Sequence, residues 1–131
     1  MHLKYHLLFL TIACFSAVAA RGQALRHAEI LGRPTDHSVT VQAFFDDPAE
    51  VCVQYGLSSG DYPSQTPWQS VPAGEPAEVL IQGLNANTRY YYRLCYRNPG
   101  ATNFSTRPVG TFHTQRVQGS AFTFVVQADP H

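Results

Sequence analysis

The sequence has no excess of either charge. Nine Lys and Arg balance nine Asp and Glu over 131 residues, so the formal net charge is zero. No basic stripe runs along it, which argues against nucleic acid or an anionic membrane as the main partner. No apolar run reaches the roughly 20 residues that a membrane-spanning helix needs. No convincing helical period appears after the first twenty residues, and no internal repeat or low-complexity segment stands out. Cysteine is scarce: Cys14, Cys52 and Cys95 are all there is. Nine Pro and nine Gly are scattered between short apolar runs. That punctuation disfavours long helices and favours strands and turns.

Apolar residues make up 44% of the chain, with seven Tyr, eight Phe and one Trp. This supports one packed domain and excludes disorder as the main state. Residues 1–20 stand apart as a secretory signal. Lys4 precedes the apolar stretch Leu7 to Val18, and Ala17-Val18-Ala19 supplies the small-x-small pattern for cleavage near Ala19 or Ala20. A lipoprotein signal ending at Cys14 fits less well, because Thr11 stands where such signals prefer Leu. The protein is therefore expected to be exported, to the periplasm or the cell exterior, with no membrane attachment after cleavage. Cys14 leaves with the signal. Cys52 and Cys95 remain, an even pair in an oxidising compartment.

The mature chain reads as short strands. Residues 28–31 form a weak first strand, closed by Gly32 and Pro34. Ser38 to Phe44 sets Val39, Val41 and Ala43 against Thr40 and Gln42, the alternation of a half-buried strand. Asp46-Asp47-Pro48 turns the chain. Glu50 to Tyr55 puts Val51, Val53 and Tyr55 on one face. A polar loop follows, then a short edge strand over Trp68 to Val71. Ala77 to Gln82, Arg89 to Arg97 and Pro108 to Thr114 complete seven strands. Seven short strands in about ninety residues fit an all-β, immunoglobulin-like sandwich, although a small barrel has the same pattern.

Leu84-Asn85-Ala86-Asn87-Thr88-Arg89-Tyr90 has the Leu-x-x-x-Thr-x-Tyr form of the corner before the sixth strand. There a Tyr ring packs in the core while its hydroxyl bonds to a loop backbone. Tyr90 is the candidate. Tyr92 and Leu94 point inward with it, and Tyr91, Arg93, Cys95 and Arg97 point outward. The same parity places Cys52 outward from the third strand, which neighbours the sixth in this sandwich. A cross-strand disulfide between Cys52 and Cys95 is expected, adding about 2–4 kcal/mol where geometry is unstrained. The plainer reading is two free, partly exposed thiols.

Several segments occur in a familiar order: Ser38-Val39-Thr40-Val41, Val53-Gln54-Tyr55-Gly56, Leu84 to Arg93, and Phe112-His113-Thr114. Together they resemble the fibronectin-III-like N-terminal domain of purple acid phosphatases and related bacterial metallophosphoesterases, over residues 25–114. One departure is Ala43, where fibronectin-like second strands often carry Trp. The resemblance implies a linker at 115–120 and a catalytic domain starting at 121. Ala121 to Gln127 is apolar on both faces in its middle, as in a central strand of a covered sheet. It runs into Ala128-Asp129-Pro130-His131. A strand ending in Asp-x-His resembles the first motif of calcineurin-like metallophosphoesterases, where both residues bind the first of two metals.

The expectation is thus an all-β sandwich followed by the first strand of a truncated α/β metallophosphoesterase domain, 121–131. Asp129 and His131 would be metal ligands. The full-length parent would hold two divalent or mixed-valence ions (Fe, Zn or Mn) and hydrolyse phosphate esters by a bridging hydroxide. His131 stands where purple acid phosphatases usually have Gly, which points to the wider calcineurin-like group. Two ligands cannot build a binuclear site, so this chain is expected to be an inactive N-terminal fragment. The alternative is a secreted fibronectin-III-like binding or spacer module without catalysis.

Other candidates are weaker. His27, His37 and His113 lack ligand spacing. Tyr90-Tyr91-Tyr92 could suggest a carbohydrate platform, but alternation buries two of the three. Asn103-Phe104-Ser105 is an N-glycosylation sequon in a predicted loop, relevant only in a eukaryotic source.

Overall fold

The computed structural model describes residues 29–126. The signal segment, Asp129 and His131 lie outside the described residues. Among the described residues nine strands form two sheets: β1 (Ile30–Gly32), β2 (Ser38–Phe44), β3 (Ala49–Gly56), β4 (Ser64–Gln65), β5 (Gln69–Val71), β6 (Pro76–Gln82), β7 (Arg89–Arg97), β8 (Ser105–Thr106) and β9 (Gly110–His113). The smaller sheet has the order β1-β2-β6, antiparallel throughout. The larger is built on the β3–β7 pair. One side of β3 takes β4 and β5, and the far side of β7 takes β8 and β9. This is an immunoglobulin- or fibronectin-III-like sandwich whose outer edges are each broken in two.

The two edge breaks have local causes. Between β4 and β5, Thr66 turns its hydroxyl to the ladder and accepts from Val53 N–H at 2.9 Å. Its own N–H donates to Val53 O at 2.9 Å. Between β8 and β9 stands Pro108, which has no N–H to give. Arg107 N–H still donates to Leu94 O at 2.8 Å.

Period-two alternation packs the core. Val39, Val41 and Ala43 from β2 and Ala77, Val79 and Ile81 from β6 face Val51 and Val53 from β3 and Tyr90, Tyr92 and Leu94 from β7. Ala43 leaves room that a larger residue would fill. Phe45, two residues on and fully buried, supplies bulk on the same side and lies 5.6 Å from the Tyr96 ring. Burying such a ring contributes about 1.5–3 kcal/mol.

The β6–β7 connection is tied by side chains. Gly83 takes φ 73° and Asn87 φ 50°, left-handed conformations that these two residue types accept readily. Asn85 N–H donates to Tyr90 Oη at 2.9 Å. Thr114, 3% exposed, donates its hydroxyl to Asn85 O at 2.6 Å and accepts from Thr88 N–H at 2.9 Å. Gln115 is fastened by Asn87 N–H on its carbonyl and by its own N–H on Thr35 O. The described chain therefore enters near the Phe44 end of β2 and leaves at the opposite end.

One element of the expected architecture is corrected. Residues 121–126 form no strand. Phe122, Phe124, Val125 and Val126 are 73–89% exposed. A strand exists only by pairing with a neighbour, and none stands beside this segment among the described residues. The described chain contains no helix and no α/β layer.

Candidate functional site

The chemistry-bearing residues gather on the outer face of the larger sheet, away from the core. Three cross-strand pairs follow one another along β3 and β7: Glu50 with Arg97, Cys52 with Cys95, and Gln54 with Arg93. Each shares a face with the next by the period of two. Arg97 Nε donates to Glu50 Oε2 at 2.6 Å, and Arg93 Nε donates to Gln54 Oε1 at 2.8 Å.

A second layer covers this row. The loop after β3 and the strand edge beyond it carry Tyr62 and Trp68 over the face. The Arg93 guanidinium lies 4.8 Å from the Tyr62 ring centre, and that of Arg97 lies 4.1 Å from Trp68. Phe104, from the β7–β8 loop, meets Trp68 edge-on at 5.7 Å. Cation–aromatic contacts of this kind contribute about 0.5–1 kcal/mol at partly exposed sites. On the same face Cys52 and Cys95 are both 0% exposed, and both thiols are free. They occupy the outward parity yet are fully buried, unlike partly exposed surface thiols.

The two sulfurs interact. Cys52 lies well above the ordinary thiol value, because its S–H donates to the Cys95 sulfur and burial adds to the effect. Cys95 is lowered by accepting that hydrogen bond; the Arg93 charge helps and burial opposes. The ladder around them also reveals their register type. Val53 and Leu94 direct their carbonyls outward to Thr66 and Arg107. Cys52 and Cys95 therefore face each other as a hydrogen-bonded pair, for which the Cα separation is about 5.5 Å.

A second titratable group sits where β1 approaches the larger sheet. Burial raises the Glu29 carboxyl, while the Tyr92 hydroxyl bonded to it and the Arg107 charge pull it back. Tyr92 is raised in turn by burial and by that bond.

The remaining candidates are dispersed. His37 is exposed and contacts its neighbour Asp36 at 2.5 Å. His113 Nδ1 lies 2.9 Å from Thr114 O. Asn103 is exposed in the β7–β8 loop. Among the described residues no group of three or more His, Cys, Asp or Glu side chains could hold a metal ion. The covering layer of Tyr62, Trp68 and Phe104 and the knot at Thr114 were not anticipated from the sequence. The only signal was the placing of aromatic residues inside otherwise polar loops.

No family model matches the chain, and no curated protein matches it. Among solved structures it is similar in fold to PhoD, with TM-score 0.55 and 17% identity over 72% of this chain. It spans 20% of the PhoD chain. Others are a computationally redesigned β-sandwich protein (TM-score 0.47, 18% identity, 70% of this chain and 95% of that one) and the sensor domain of the anti-sigma factor RsgI4 from Pseudobacteroides cellulosolvens (TM-score 0.49, 13% identity, 79% and 100%). The relationship to PhoD is distant and structural.

These findings correct the expected function. The described residues are β-sheet and loop with no metal-holding cluster, and the likeness to PhoD extends to a fifth of that chain. The described residues form a fibronectin-III-like sandwich and bring together no phosphoesterase site.

Proposed function

We propose that residues 25–114 are a non-catalytic, fibronectin-III-like spacer module of an exported protein. The observation that carries this reading is a sandwich closed on one apolar core, with no cluster of metal-ligating side chains among the described residues. Two features support a spacer over a binding module. The chain enters toward one end of the sandwich and leaves at the other, tied there through Thr35, Asn87 and Gln115. The charged and aromatic groups on the outer face are engaged with one another: Arg97 with Glu50 and Trp68, Arg93 with Gln54 and Tyr62. Export rests on the signal pattern of residues 1–20, and kinship with the N-terminal domains of purple acid phosphatases on the ordered strand motifs.

The test is direct. The purified 131-residue chain is assayed with an aryl phosphate in the presence of zinc, manganese or iron, and melted with and without a chelator. The expected results are no turnover above buffer and an unchanged melting temperature. Metal-dependent hydrolysis abolished by the chelator would overturn the reading.

A further inference from the structure

The Cys52–Cys95 pair is placed for a reaction that the spacer role does not require. The two residues are direct register partners on adjacent antiparallel strands. A Cα separation of about 5.5 Å at such a pair falls inside the 4.4–6.8 Å range that disulfides use. Both cysteines are nevertheless 0% exposed, with the Arg93–Tyr62 and Arg97–Trp68 contacts flanking them on the same face. The Cα separation permits the bond, and coverage limits the access of reagents to it.

We propose that Cys52 and Cys95 form a cross-strand disulfide that closes before the Tyr62–Trp68 layer seats, and that the seated layer then shields the bond from thiol reagents. The oxidant is a disulfide of the export compartment or its small-molecule equivalent, oxidised glutathione. The Cys95 thiolate attacks one sulfur of that disulfide, giving a mixed disulfide and releasing one thiolate. The Cys52 thiolate then attacks Cys95 Sγ and expels the second. One Sγ–Sγ bond forms, the oxidant's S–S bond breaks, the two electrons pass to the oxidant, and its two released thiolates take up the two protons given up by Cys52 and Cys95, leaving as two thiols. The two roles are interchangeable: first attack by Cys52 gives the same bond and the same balance. Exchange needs access to the attacked sulfur. In the folded, reduced chain both directions therefore wait on a local opening of the layer.

The experiment has two arms on the full chain. In the first, reduced and unfolded protein is refolded with oxidised glutathione, quenched with an alkylating reagent and weighed. The expected mass shows the loss of two hydrogens and no alkylation. Two alkylated thiols would overturn the disulfide. In the second, folded reduced protein is treated with an aromatic disulfide reagent that reports thiol release. The wild type is expected to react at least about tenfold more slowly than the unfolded chain, and Trp68→Ala to recover most of that factor. Thiols that react at the unfolded rate would refute the shielding. So would a folded Trp68→Ala variant, shown by circular dichroism, that reacts no faster than wild type. The first arm does not depend on any variant folding.

Discussion

Replacing Tyr90 by Phe removes one oxygen from the β6–β7 corner and leaves the ring in place. The ring is 6% exposed, stacked 5.4 Å from Phe112 and edge-on to Tyr55 at 6.3 Å. Those contacts survive the substitution. What is lost is the bond from Asn85 N–H to Tyr90 Oη. A hydrogen bond of this kind contributes about 0.5–1.5 kcal/mol net, and a stranded buried donor costs about 1–3 kcal/mol. Asn85 is itself exposed, so a small opening lets water reach its N–H. The cost should fall near about 1 kcal/mol, a drop in Tm of about 4–8 °C for a domain of this size. Tyr90→Ala also forfeits the ring and should cost about 3–5 kcal/mol.

The same corner provides an internal control. Thr114→Val strands two partners, Thr88 N–H and Asn85 O, and Thr114 is more deeply buried. It should cost about 2–3 kcal/mol, more than Tyr90→Phe. Asn85 is shared, its N–H held by Tyr90 and its carbonyl by Thr114. The double variant should therefore depart from the sum of the singles by about 0.5 kcal/mol or more. Urea and thermal unfolding followed by circular dichroism measure all four chains. If Tyr90→Phe lies within about 0.3 kcal/mol of the parent, or the pair is additive to that precision, the corner is not held as argued here.

Two further substitutions probe other parts of the sandwich. At Gly56 an added Cβ would stand 2.2 Å from the Asp61 carbonyl oxygen and 2.8 Å from Pro63 Cδ. Gly56→Ala must push the loop that carries Tyr62 outward, with an expected loss of about 1–3 kcal/mol in urea unfolding and faster reaction of the buried thiols. An unchanged unfolding midpoint would refute the close approach. Glu29→Gln tests the buried carboxyl. Folding raises its pKa, so the native state holds that proton more tightly than the unfolded chain does. Its stability contribution is then full below the unfolded carboxyl value and lost as pH rises through the folded one. The amide still accepts from Tyr92 but cannot ionise. The variant should melt higher than the parent at pH 7, with the difference vanishing near about pH 4; a variant that melts lower at pH 7 would contradict this.

The strands that were legible in the sequence are those whose side chains alternate between core and solvent. In β6, residues 76–82 alternate exposed and buried without exception, and β7 runs over the same Arg89 to Arg97 in both readings. Ser64–Gln65 and Ser105–Thr106 are polar and carry no apolar alternation, so the sequence alone reads them as loop. They are strands through backbone pairing with β3 and β7, to which Gln65 adds a side-chain bond from Gln54 at 2.8 Å, and no apolar alternation records it. Residues 121–126 show the converse error. Apolar residues on both faces state what a segment would bury if a sheet received it, and no strand pairs with this one among the described residues.

Parity and exposure also came apart on the outer face. The period of two correctly put Cys52 and Cys95 on the side of β3 and β7 away from the core, where a two-layer sandwich meets water. Their complete burial comes from a third, partial layer assembled from two loops distant in sequence, one ending at Trp68 and the other carrying Phe104. That layer is held by the arginines that flank the thiols, each bonded across the strands and stacked on an aromatic ring. Removing either arginine should therefore act twice. It unfastens a cross-strand pair, and it lets the ring above the sulfurs move away. A face that parity marks as surface is thus lined by charged residues engaged with aromatic rings on either side of two fully buried cysteines.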